Sequence, residues 1–174
     1  MTPRGACAPG RLPAESRSEA TQEECVDNPG DEIRLVVPSR IASVAMVNAV
    51  AEEVAETAGL VGEDAHRFAI AVVEAATNAI RHGNRGDEGA PAEVVFMQDE
   101  SRITVLVRDR SDCEFRPDPS HARTCGREKF AEHGRGLYIL NECMDEVSFS
   151  FREGRGNECR LVWKLRVTDR GGSL

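Results

Sequence analysis

The chain has 174 residues, 30 acidic against 22 Lys or Arg, for a formal net charge of −8 with 40% apolar side chains. That length suits one domain, and the apolar share is enough for a real core. The acid excess without a basic stripe excludes nucleic acid and anionic membrane as partners, because such a surface would repel the phosphates it must neutralise.

No apolar run approaches the roughly 18 residues of a membrane span. The first residues, MTPRGACAPGRLPAES, lack the apolar stretch of an export signal. The cysteines, Cys7, Cys25, Cys113, Cys125, Cys143 and Cys159, include no C-x-x-C pair and read as reduced thiols of a cytoplasmic protein.

Residues 1–31 are rich in Pro, Ser, Thr and Glu and nearly devoid of bulky apolar side chains. Such a stretch cannot bury enough surface to offset its ordering entropy, so it reads as a disordered tail. The domain is expected over 32–168, with a flexible end at 169–174. Ile33–Val37 alternates and stops at Pro38, predicting a strand. Ser39 is placed as an N-cap for a helix whose inner stripe is Ile41, Val44, Asn48, Ala51, Val54, Ala55 and Ala58, with Gly59 at its C-terminal turn. A second helix runs from about Glu63 to Arg81, burying Phe68, Val72, Ala76 and Ile80. A glycine-rich loop follows.

Strands are predicted over 93–99 and 102–108, then a long aperiodic stretch from Asp109 to His133. A connection of that length reads as a functional lid. A third helix opens at Gly134 and turns Leu137, Leu140 and Met144 inward. Strands over 146–152 and 158–167 close the domain, joined by the turn 153–157. The order βααββαββ predicts an α+β fold, a two-layer sandwich with a mostly antiparallel sheet and helices on one face.

Three constellations carry chemistry. Glu74, Asn78 and His82 stand at i, i+4 and i+8, one face of the second helix and not its buried stripe. A carboxylate one turn from a carboxamide can take a proton from a hydroxyl while the amide oxygen serves as a hard ligand for Mg²⁺. A solvated polar face fits the same spacing. Gly134-Arg135-Gly136-Leu137 opens a helix, where uncovered N–H groups and the dipole attract anions and Arg135 can add a charge-assisted bond. A tight turn reads the same way. Asp109, at a strand end, can accept from an exocyclic amine such as adenine's, or can be a turn residue.

In this order the stretches Ala71–Asn84, Val107–Asp109 and Gly134–Val147 resemble the GHKL ATPase superfamily, and within it the anti-sigma-factor serine kinases of the RsbW/SpoIIAB type. The resemblance implies the Bergerat α/β sandwich. It makes Glu74 the general base and Asn78 the Mg²⁺ ligand, with His82 beside them on the nucleotide side. Asp109 becomes the carboxylate that recognises adenine, and Gly134, Arg135, Gly136 and Leu137 the segment closing on the phosphates of ATP. It further implies transfer of the γ-phosphoryl group to a serine of a STAS-domain anti-anti-sigma protein, sequestration of a sigma factor, and a homodimer.

The chain departs from that pattern after Asp109. Ser111 and Cys113 stand where the family has glycines, Phe115 falls one position late, and Asn157 stands where many members have Thr. Missing glycines cost close backbone approach, which bears on nucleotide affinity more than on fold. A binding module that keeps the fold with little or no catalysis is the alternative. An ATPase fragment of a two-component histidine kinase is a weaker one, since no preceding helical hairpin with a phosphorylatable His is present. Cys113, His121, Cys125 and His133 are zinc-ligand types, but their spacing matches no compact zinc signature.

Overall fold

Strand β1 (Glu32–Val37) lies antiparallel on β2 (Ala92–Gln98), setting Leu35 opposite Val94 and Val37 opposite Ala92. In this computed structural model, which describes residues 32–116 and 135–166, three more strands extend the sheet: β3 (Arg102–Arg108), β4 (Glu146–Arg152) and β5 (Gly156–Lys164). The sheet order is β1-β2-β3-β5-β4, and each neighbouring pair is antiparallel. Because side chains alternate faces along a strand, every second residue enters one core. Val94, Phe96, Ile103, Val105, Val107, Cys159, Leu161 and Trp163 do so.

The opposite face carries a ladder of charges. Arg34 Nη1 lies 3.0 Å from Glu93, Arg108 Nη1 2.9 Å from Glu93, and Arg108 Nε 2.6 Å from Glu158. Pairs of this kind add at most about 1 kcal/mol each, and their main effect is to keep that face wettable.

Helices α1 (Val44–Thr57), α2 (Glu63–Asn78) and α3 (Arg135–Cys143) belong to the other layer. Phe68 of α2 meets Trp163 of β5 edge to face, with ring centroids 6.2 Å apart. Arg67 of α2 donates to the carbonyl of Glu142 in the last turn of α3, satisfying an end carbonyl and placing a cation at that helix's negative pole. Leu140 and Met144 complete the contact from the α3 side. The predicted α+β sandwich is the observed fold.

Ser39 is not an N-cap. Its hydroxyl donates to the carbonyl of Ala90 at 2.6 Å, and the chain first makes a 3₁₀ turn at Ile41–Ser43 before α1 begins. That turn advances the chain by three residues per revolution, so the helical phase starts later than the sequence suggests. Val47, Ala51, Val54 and Ala55 form the buried stripe, and Ile41 is exposed. Gly59 does end α1, at φ 81°, with its N–H donating to Glu56 and the Leu60 N–H to Ala55.

The second helix is α-helical only to Asn78 and continues as a π turn at Ala79–Gly83, closed by Asn84 N–H donating to Ala79 at 2.8 Å. The last strand begins two residues earlier than predicted, with Gly156 already paired to Arg152. The tail 1–31, most of the expected lid (117–134, including Gly134), and residues 167–174 lie outside the described residues.

Candidate active site

Glu74 and Asn78 are one α-helical turn apart near the C-terminal end of α2, and both are half-buried. What stands over them is the first turn of α3. A Cβ built on Gly136 would overlap Glu74 Oε1 and lie 3.1 Å from Asn78 Nδ2. The absence of a side chain at 136 therefore lets the N-terminus of α3 rest on this pair. Among the described residues, neither side chain makes a hydrogen bond or ion pair, although no fully buried side-chain polar atom lacks a partner. Their polar atoms therefore keep some exposure to solvent beside the start of α3.

His82 follows in the π turn and is exposed. Past Asn78 the turn no longer advances by 100° per residue, so a shared face does not follow from the i+8 spacing. The structure brings Glu74, Asn78 and Gly136 together. Leu137 is half-buried in the first turn of α3, Arg135 opens that helix, and Gly134 lies outside the described residues.

Asp109 sits just past β3, 7% exposed. Its Oδ1 accepts from the backbone N–H groups of Ser111 and Asn157, each at 2.9 Å. Its Oδ2 faces Gly83, where an added Cβ would overlap the carboxylate and lie 2.6 Å from Asp109 Cβ. Gly156, at φ 91°, passes so close to the Asp109 backbone that a Cβ there would come 2.8 Å from its carbonyl carbon. A positive φ and this approach both call for glycine.

Two buried asparagines brace the region. Asn84 donates to Ser39 Oγ and to the Ala90 carbonyl, both at 2.8 Å, and accepts from the Arg110 N–H at 2.6 Å. Asn157 reaches the Asp109 carboxylate, the Cys113 carbonyl and the Phe115 N–H. Neither brace is readable as such from sequence. Asn84 ends the motif-like stretch Ala71–Asn84, and nothing in the sequence around Asn157 marks its partners.

The donor set fits a magnesium nucleotide: a free carboxylate, a free carboxamide oxygen, a helix N-terminus above them and a buried carboxylate at a strand end. Residues 37–163 match the histidine kinase-like ATPase domain. The chain belongs to that family. Among proteins similar to it, the serine-protein kinase RsbW of Bacillus pumilus (strain SAFR-032) is 30% identical over 131 residues, 71% of this chain and 81% of that protein. The RsbW of Bacillus subtilis (strain 168) is 29% identical over 136 residues, covering 73% and 82%. The mycobacterial sensor histidine kinase MprB superposes with a TM-score of 0.48 at 15% identity, over 76% of this chain and 97% of that one.

Burial pushes the Cys159 thiol up to about 12, which leaves it an unreactive core group of this ATPase domain. Cys113 is exposed, while His121, Cys125 and His133 lie outside the described residues. Among the described residues, no group of three His, Cys, Asp or Glu could hold a metal ion, and no helix is long and apolar enough to cross a membrane.

Proposed function

We propose that the chain is an ATP-dependent protein serine kinase that also acts as an anti-sigma factor. It transfers the γ-phosphoryl group of ATP to a serine of a STAS-domain anti-anti-sigma protein and sequesters a sigma factor, as a homodimer in the cytoplasm. The observation that carries this reading is Gly136 seated on Glu74 and Asn78, which sets an anion-attracting helix end over a free carboxylate.

In this reading Glu74 draws the proton from the attacking serine hydroxyl. The Asn78 side-chain oxygen would hold Mg²⁺, which would supply charge neutralisation to the phosphates. The segment Gly134–Leu137, with Arg135, directs backbone N–H groups at the transferred phosphoryl group, where charge develops. Asp109 accepts from the adenine amine through Oδ2, and His82 adds to nucleotide binding as the sequence resemblance implies. Family membership and the RsbW relatives support this assignment.

A second reading is a binding module without catalysis. The favouring observation is that Ser111 and Cys113 follow Asp109 where the sequence resemblance expects glycines. Calorimetric titration with ATP, with and without Mg²⁺, separates the two. Magnesium-dependent binding that is lost in Asp109→Asn and Asn78→Ala is the expected result. No binding at millimolar nucleotide would overturn the kinase and leave the binding module.

A further inference from the structure

Asn157, 8% exposed, hydrogen-bonds both the Asp109 carboxylate and the segment Cys113–Phe115 through its side chain, whereas Ser111 reaches Asp109 with its backbone N–H and only Cys113 with its hydroxyl. Its Nδ2 has two hydrogens and three acceptors in reach, the Cys113 carbonyl at 3.0 Å and both Asp109 oxygens at 3.3 Å. One hydrogen serves Cys113 and the other is shared across the carboxylate. Its Oδ1 accepts from the Phe115 N–H at 2.7 Å. The reversed amide would turn an oxygen toward a carboxylate and a carbonyl, so its neighbours fix the orientation.

The two carboxylate oxygens are thereby made unequal. Oδ1 receives two backbone N–H groups as well as the shared hydrogen, whereas Oδ2 has only the shared contact. A donor arriving at Oδ2 costs the protein no bond, because the Asn157 hydrogen keeps Oδ1. The same carboxamide seats Phe115, whose ring lies edge-on to Phe149 of β4 with centroids 5.2 Å apart.

We propose that Asn157 is a positioning residue with two roles in one side chain: it presents Asp109 Oδ2 to an amine-bearing base, and it latches Cys113–Phe115 against β4 and β5. The first role rests on the nucleotide reading above, and the second does not. Of this segment, the Phe115 end is held by Asn157, while the Cys113 end is also tied by the Ser111 hydroxyl.

The test uses the full chain with Asn157→Ala and Asn157→Ser. Amide hydrogen exchange is read without nucleotide, and ATP is compared by calorimetry with inosine triphosphate, which carries a carbonyl in place of the amine. In Asn157→Ala the Phe115 amide is expected to exchange at least about tenfold faster, with Val105 and Val107 unchanged, as loss of a bond to a buried group requires. Wild type is expected to favour ATP by about tenfold or more, and Asn157→Ala to lose most of that preference at unchanged stoichiometry. Asn157→Ser, whose hydroxyl can still donate to Asp109, keeps the preference while the Phe115 amide stays fast. An unchanged Phe115 amide overturns the latch. An unchanged preference, or equal weakening of both nucleotides with reduced stoichiometry and faster exchange in β3, overturns the presenting role. A wild-type chain that binds neither nucleotide overturns that role and the nucleotide reading together, and exchange alone then decides the latch.

Discussion

Gly136 lies so close to Glu74 that a methyl group on its Cα would overlap Glu74 Oε1 and stand 3.3 Å from the carboxyl carbon. The relation joins two elements far apart in sequence, and it makes the smallest residue at the start of α3 a condition for the carboxylate's placement. Alanine is the better helix former by up to about 1 kcal/mol, so nothing intrinsic to α3 disfavours it there.

Gly136→Ala is therefore expected to leave the melting temperature within a few degrees while slowing phosphoryl transfer about 100-fold, the effect of an ångström-scale misplacement at a reacting centre. Thermal melting and single-turnover transfer, measured on the same preparation, check the two halves. Equal activity would mean that the contact is incidental.

Gly83 stands in the same relation to Asp109, since an added Cβ would fall on the carboxylate and 2.6 Å from Asp109 Cβ. Gly83→Ala must push that side chain off Asn157 and the Ser111 N–H. About 1–3 kcal/mol of stability is expected to be lost, with ATP affinity reduced at least about tenfold. Urea unfolding and calorimetric titration measure each. Weakened binding without destabilisation would mean that the carboxylate moves without losing its partners.

Asp99 sets a pH dependence in the β2–β3 hairpin. Hydrogen bonds from the Ser101 hydroxyl and backbone N–H, then from Arg102, hold its carboxyl down at about 2, below the ordinary 3.8. A folded-state value below the unfolded one contributes stability that is full above 3.8 and is lost as pH falls through about 2. Asp99→Ala should thus destabilise the domain at pH 7 and converge with wild type toward pH 2. A difference that stays constant between those limits would assign the effect to turn packing instead.

Much of the fold was legible because it rests on periodicity. The alternation of Cys159, Leu161 and Trp163 and the spacing of Phe68, Val72, Ala76 and Ile80 report burial directly. Ser39 misled because an N-cap and a buried hydroxyl use the same residue type. Its partners Ala90 and Asn84 are about 50 residues away in sequence or nearly so. The π turn after Asn78 was invisible for a related reason: the sequence places the helix end at Arg81 without showing that the last turn widens, and Asn84, whose N–H closes that turn on Ala79, is held by partners distant in sequence, Ser39 and Arg110.

At the candidate site, Glu74, Asn78 and Asp109 were legible as residue types at suggestive positions. Their relation to Gly136, Gly83 and Asn157 was not, because glycines chosen for what presses against them leave no signature beyond their presence. The sequence resemblance marks Asn157 as standing where the family pattern has Thr. That its carboxamide ties Asp109 to Phe115 needs the β3–β5 register, which sets Arg108 opposite Glu158 and brings the two ends together.

The kinase assignment is tested most directly by incubating the chain with Mg²⁺, ATP and a STAS-domain protein, and following phosphoserine by mass spectrometry. Glu74→Gln serves as the paired variant, with ATP affinity measured alongside. Serine phosphorylation by wild type that falls at least about 100-fold in Glu74→Gln, with ATP affinity within about threefold, is the predicted result. Bound ATP with no phosphoserine, or transfer that survives Glu74→Gln, would contradict it.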